Sequence, residues 1–187
     1  MIKIVENQDL EQPASKSVAS IASLSGDPGI SNRAHYEDKL KGFLTARAIP
    51  GEHLSFLVSC HSVEDAARAA KAEVTQFVKN VCMIGASREL IVAIVKGEDR
   101  ASTKKVAKVL NLSSPPRQAT PGEILDKTGY PCGGTPSFGY DAIFIVDPRV
   151  LDESIVYTGG GSEQSLVKIS SQALVDACAG RLLSIRK

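Results

Sequence analysis

The chain has 187 residues, 43% apolar and 23% charged, with a formal net charge of +1. That is enough for one real core and too little for two domains of ordinary size. Near-neutral charge argues against a generally basic nucleic-acid binder, the absence of Trp leaves few base-stacking platforms, and no apolar run approaches the ~20 residues that span a bilayer.

Residues 1–33 read as an N-terminal extension. After Ile2-Lys3-Ile4-Val5 comes a stretch rich in Ser, Ala, Asp and Gly, in which Val18, Ile21 and Leu24 have helical spacing and Asp27-Pro28-Gly29 ends the pattern. The domain itself is expected over 34–187. Residues 36–47 are amphipathic, with Leu40, Phe43 and Leu44 on one face, and Ile49-Pro50-Gly51 stops them. His53 to Cys60 reads as a strand. Ser62 followed by Asp65 is a capping signal for the Ala-rich helix that follows, whose small residues allow close packing on a sheet.

Val74, Phe77 and Val78 predict one or two helical turns, handing over to a strand at Val81–Ile84. Lys79 falls at that junction, either snorkelling to solvent or pointing into a cleft. Leu90 to Val95 is a continuous apolar run and predicts a central strand buried on both faces. After the turn at 96–100, in which Asp99 and Arg100 could pair, Ser102 caps a short helix. Val106, Val109 and Leu110 face inward on it; Lys104, Lys105 and Lys108 face outward, as a solvated face or as phosphate ligands. Thr120-Pro121-Gly122-Glu123 is a strong helix start and Gly129 a stop.

Residues 128–139, Thr-Gly-Tyr-Pro-Cys-Gly-Gly-Thr-Pro-Ser-Phe-Gly, hold four glycines and two prolines, so no helix or strand survives there. Such a loop can offer backbone N–H and C=O groups to a ligand in a fixed array. Strands are expected at 141–147, 155–158 and 165–169, then a helix opened by Ser171 and closed by Gly180, then a last strand at 182–185. The class is α/β (α+β): one compact domain with a mixed central sheet surrounded by helices.

The start lacks the basic-then-apolar pattern of a signal peptide. Cys60, Cys82, Cys132 and Cys178 form no C-x-x-C pair and have no His at metal-ligand spacing. The expectation is a reduced, cytoplasmic protein without structural zinc.

The order of these features resembles the YbaK/ProX family, the domain that also serves as the editing insertion of bacterial prolyl-tRNA synthetases. The series runs from Gln76-Phe77-Val78-Lys79 through Lys96-Gly97-Glu98-Asp99-Arg100 and Ala119-Thr120-Pro121-Gly122-Glu123. It continues with Thr128-Gly129-Tyr130-Pro131, Gly133-Gly134-Thr135-Pro136, Val146-Asp147, and Tyr157 before Gly159-Gly160-Gly161. The resemblance covers about residues 36–187. It implies hydrolysis of mischarged aminoacyl-tRNA, with tRNA for proline carrying a small amino acid as substrate, and without metal or organic cofactor. The expected partners are the acceptor end of the tRNA and prolyl-tRNA synthetase, with no membrane and no DNA.

Carried over by position, Lys79 matches the family's essential lysine, which binds the tRNA end near its terminal adenosine. Gly133 to Ser137 matches its Gly-x-x-x-Pro loop, which holds the substrate with backbone atoms. The fifth residue here is Ser137, with proline one place earlier at Pro136, and that departure touches the aminoacyl pocket. Lys79, Gly133, Gly134 and Thr135 are therefore read as the catalytic group. Pro136, Ser137, Gly139, His61, Asp147 and Gly160 are read as substrate-binding. His61 could equally cap or pack the following helix, and Asp147 could equally form a turn. Cys132 borders the loop, but no base stands beside it in sequence. A non-catalytic module that binds aminoacyl-tRNA or a nucleotide stays open as the alternative.

Overall fold

Apolar runs become central strands and capped amphipathic runs become the helices around them. The structure, a computed structural model, describes residues 28–187. Its helices are α1 (Pro28–Ala46), α2 (Val63–Ala70), α3 (Thr103–Leu110), α4 (Pro121–Thr128) and α5 (Ser171–Cys178). Its strands are β1 (Gly51–Ser55), β2 (Val78–Ile84), β3 (Leu90–Lys96), β4 (Arg117–Gln118), β5 (Ile143–Val146), β6 (Ile155–Gly159), β7 (Ser165–Ser170) and β8 (Arg181–Leu182).

β3 is buried along its whole length because it is paired on both sides. It runs antiparallel to β2, with Val78 opposite Lys96 and Ile84 opposite Leu90, and parallel to β5, with Ile91 opposite Ile143. The five-stranded sheet has the order β4-β2-β3-β5-β8 and is mixed, as expected. Alternation sends the β3 side chains to two cores. Val92 and Ile94 meet Leu40, Tyr130, Phe138 and Val167 on one face; Ile91, Ala93 and Val95 meet Met83, Val106 and Ile185 under α3 on the other.

A second, antiparallel sheet has the order β1-β7-β6. The two sheets touch at Phe77 and Tyr157, which form a single parallel bridge and stack their rings with centroids 4.9 Å apart. α2 covers that junction. Its buried Ala66 and Ala67 share a cluster with Phe77, Tyr157 and Leu166, which only small side chains permit at such close range.

The capping residues act as read. Ser62, Ser102 and Thr120 accept from the backbone N–H three residues on, and Thr120 with Glu123 completes a capping box. Several boundaries move. Pro28 opens α1, which runs unbroken across the expected junction at 33 and 34. The proposed helix at Val18–Leu24 lies outside the described residues. β1 spans 51–55 instead of 53–60, because pairing with β7 fixes its length. A single 3-10 turn at Val74–Gln76 precedes β2, so Lys79 is the second residue of a strand. The strand expected at 141–147 is shortened to β5, and β8 replaces the strand at 182–185. α5 is capped by Ser170, and Ala179, not Gly180, takes the left-handed position that ends it. Asp99 pairs with Arg149 and not with Arg100. No helix among the described residues is long and apolar enough to cross a membrane.

Candidate functional site

The glycine loop is anchored before it is anything else. Gly129 ends α4 with a positive φ of 69°. Lys39 donates to the Thr128 and Gly129 carbonyls at 3.2 and 3.3 Å and lies over the Tyr130 ring at 4.2 Å. The Thr128 hydroxyl accepts from the Tyr130 N–H at 3.0 Å. The loop then turns back on itself, with the Gly134 N–H and the Thr135 hydroxyl both donating to the Pro131 carbonyl, at 3.1 and 3.0 Å.

Two glycines in this loop are obligatory for different reasons. Gly133 has φ +92°, where a side chain would be strained and would also strike His61 Nδ1 at 2.9 Å. Gly134 has an ordinary φ but no space: a Cβ there would lie 2.6 Å from the Ser162 backbone. The close approach serves a bond, since the Gly161 N–H donates to the Gly134 carbonyl at 2.8 Å.

Behind the loop lies a polar lock that sequence reasoning missed. Asn80 Nδ2 donates to the Thr135 carbonyl at 2.8 Å and to Thr158 Oγ1 at 3.1 Å. Asn80 Oδ1 accepts from the Ser137 hydroxyl at 2.7 Å, and Ser137 and Thr158 share a further 2.7 Å contact. If Ser137 donates to Asn80, Thr158 donates to Ser137, and every donor of the three side chains is used. Ser137 is wholly buried. The Tyr140 hydroxyl donates to the Pro136 carbonyl at 2.7 Å.

In front of the loop is a cavity of about 170 Å³ between α2, the start of β2, the loop and β6. Lys79, Asn80, His61, Gly133, Thr135 and Thr158 line it, with Cys60, Cys82, Cys132, Ala66 and Ile124. Lys79 is half-buried at its edge and donates to the Gly97 carbonyl at 2.7 Å. Burial pushes the pKa of its ammonium down and nearby Arg100 adds to this, against Asp99 and Glu64. His61 stands on the rim with Nδ1 3.5 Å from Glu163 Oε1; the cap of α2 is its neighbour Ser62. Cys132 is exposed, while burial pushes the Cys82 thiol up to about 12 and keeps it protonated.

The loop's carbonyls at 131, 134, 135 and 136 are taken by protein donors. The N–H groups of Gly133 and Thr135 donate to no protein acceptor among the described residues. The cavity is thus lined by Lys79 and by two residues of a braced loop whose N–H groups are not committed to protein acceptors among the described residues. Such donors can stabilise an oxyanion without any acidic or basic side chain. No three His, Cys, Asp or Glu side chains among the described residues converge to hold a metal ion.

The other expected site residues fall elsewhere. Pro136 and Ser137 do not line the cavity; the Ser137 hydroxyl and the Pro136 carbonyl are taken up in bracing the loop. Gly139, φ +94°, packs by Phe43 at a separate groove. Gly160 is in the wall of the second sheet, its carbonyl 2.8 Å from His53 Nε2. Asp147, expected at a ribose hydroxyl, is fully buried away from the cavity. It accepts from the Ile185 and Arg186 N–H groups at 2.9 and 3.2 Å and from the Arg186 guanidinium at 2.9 Å. Burial alone would raise the pKa of its carboxyl, but these donors and the Arg149 N–H outweigh that and hold it below its usual value.

A model of the aminoacyl-tRNA editing domain family matches residues 58–177, a span that contains every lining residue of the cavity. YwhH of Bacillus subtilis (strain 168), itself uncharacterised, is 24% identical over 121 residues, 64% of this chain and 76% of that protein. The fold is that of a crystal structure described as a proposed trans-editing enzyme for prolyl tRNA synthetase. The two share 24% identity with a TM-score of 0.75, over 81% of this chain and 97% of that one. The crystal structure of hypothetical protein APE2540 is similar at 24% identity and a TM-score of 0.73, over 80% and 99% of the two chains.

Proposed function

Because the chain belongs to the aminoacyl-tRNA editing domain family, we propose that it hydrolyses the ester bond of mischarged aminoacyl-tRNA in trans. The substrate we infer is tRNA for proline carrying a small amino acid such as Ala or Cys, received after prolyl-tRNA synthetase has misacylated it. What supports this reading is one small cavity lined by Lys79, Gly133 and Thr135, the last two with N–H groups that donate to no protein acceptor among the described residues.

An aminoacyl ester is already activated, so orientation and oxyanion stabilisation suffice. Lys79 pairs with a phosphate of the terminal nucleotide and sets the ester against the loop. Water attacks the carbonyl carbon, and the charge on the carbonyl oxygen falls on the main-chain donors. The C–O bond to the ribose then breaks, releasing the free amino acid and the tRNA hydroxyl. The bracing by Asn80, Ser137 and Thr158 matters because an oxyanion donor works only if it need not reorganise.

A cavity of about 170 Å³ favours a short side chain. Sterics can reject a larger group strongly, whereas lost contact to a smaller one is worth only ~1–3 kcal/mol per methylene. A separate small pocket is the physical answer to a synthetase that must accept proline and cannot fully reject alanine. The binding-only alternative drew on Ser137 and on the extension at 1–33; the hydrogen bonds of Ser137 brace the loop, so its presence in place of proline does not by itself argue for lost activity.

A deacylation panel tests it: tRNA for proline charged with Ala, Cys, Ser or Pro, incubated with the wild type. Loss of one small amino acid with Pro spared is the expected result. Retained charging throughout, with tRNA still bound, would move the protein to the binding-only class.

A further inference from the structure

Building on that reading of the site, we propose that the exposed face of α3 is a docking track for the sugar–phosphate backbone of the tRNA acceptor arm, leading away from the Lys79 end of the cavity. Residues 100–122 contain Arg100, Lys104, Lys105, Lys108 and Arg117 and not one Asp or Glu, in a chain whose net charge is only +1. Arg117 is committed to Glu123. Arg100 and the three lysines are exposed and stand in no ion pair among the described residues. Elsewhere on the surface Lys41 and Arg68 each pair with an acid three residues away. A solvated helical face ordinarily mixes signs in that way.

The fold puts this face beside the site. β3 ends at Lys96, opposite Val78 of β2, and the chain turns there toward α3, whose start is tied to Ile185 and Arg186 through Ser102 and Ala101. Val81 and Met83 point from β2 toward α3. Val106, Val109 and Leu110 hold α3 down on that face, leaving Lys104, Lys105 and Lys108 outward, with about one helical turn between the first and the last. Arg100 joins the stripe to the cavity, since it closes the turn whose Gly97 carbonyl accepts from Lys79 at 2.7 Å. The Arg100 carbonyl accepts from the Lys187 N–H at 2.7 Å, which brings the chain's last residue to the same corner. Glu98 and Asp99 in this corner are paired with Arg149, and the exposed charges along α3 itself are of one sign. Glu64 is the acid left beside Lys79, so the single-sign path for a polyanion runs along α3 from Arg100.

The test compares the wild type with the triple variant Lys104→Gln, Lys105→Gln, Lys108→Gln, which keeps long, helix-compatible side chains. Hydrolysis is followed on mischarged tRNA and on a minimal 3′-aminoacyl-adenosine ester, and binding of uncharged tRNA is titrated against salt. The expected result is a KM for tRNA raised ~10-fold or more, kcat unchanged, and the minimal ester hydrolysed at the wild-type rate. The slope of log affinity against log salt should become shallower by about 2, since each lost phosphate contact removes ~0.7–0.9. An unchanged tRNA KM and salt slope would overturn the track, and so would an equal loss on both substrates. A wild type inactive on both mischarged tRNA and the minimal ester would sink the hydrolytic reading; the salt titration would still decide the track.

Discussion

The Ser137 hydroxyl donates to Asn80 Oδ1 at 2.7 Å across 57 residues of sequence, and the same Asn80 amide holds the Thr135 carbonyl. Thr135, which lines the cavity, is thus held through its carbonyl by Asn80, and Asn80 is held in turn by Ser137. Removing either one should loosen the loop. Ser137→Ala leaves a buried carbonyl oxygen of Asn80 without its donor and should cost about 1–3 kcal/mol. Ser137→Pro, which restores the residue of the resembled family, loses the same bond. In a double-mutant cycle with Asn80→Ala, denaturant titration should find the two costs clearly less than additive.

Lys79 is expected to act by position. Lys79→Ala should lower kcat/KM for a mischarged tRNA by ~10²-fold or more, while the melting temperature stays near the wild-type value, since the residue's one hydrogen bond is to Gly97. A variant with full deacylation activity would refute the assigned role.

Gly134→Ala should hurt both stability and turnover. The added methyl has no open direction, because the Ser162 backbone is 2.6 Å away. Overpacking of this kind costs about 1–3 kcal/mol, and here it also pushes the loop off the Gly161 N–H. Thermal melts and the deacylation assay should fall together.

Cys132 separates two chemistries. Of the four cysteines it alone is exposed, so a thiol reagent such as iodoacetamide should modify it first, as peptide mass mapping would show. The adduct at the cavity rim should block hydrolysis, whereas Cys132→Ser should keep activity within about threefold if water and not the thiol is the nucleophile. A dead Cys132→Ser would point to a thioester route.

Asp147 should control acid stability and leave the site alone. Its carboxyl titrates lower in the folded chain than the ~3.9 expected when unfolded. The stabilisation is therefore complete above about pH 4 and is lost as pH falls through the folded value. Asp147→Asn should cost about 2–4 kcal/mol at neutral pH and flatten the decline of stability on acidification, with deacylation at low temperature unchanged.

The features legible in the sequence were the local ones. Ser62, Ser102 and Thr120 cap because their partners are three residues away, β3 declared itself by an unbroken apolar run, and the glycine loop by composition. The lock of Asn80, Ser137 and Thr158 has no local signal, since its members come from β2, the loop and β6 and meet only once the two sheets abut at Phe77 and Tyr157. Asp147 misled for the same reason. An aspartate after a strand reads alike whether it faces a ligand or the chain's own last residues, and only burial tells them apart.

The loop's donors belong to the main chain, and no substitution other than to proline deletes them. On the proposed mechanism the reaction and its selectivity are then inherited separately. Exchange of Cys82, Ile124 or Ala66 reshapes what the cavity admits, while the groups that meet the oxyanion stay in the backbone. A lineage built on such a site can diversify its amino-acid preference in single steps, each passing through an active intermediate.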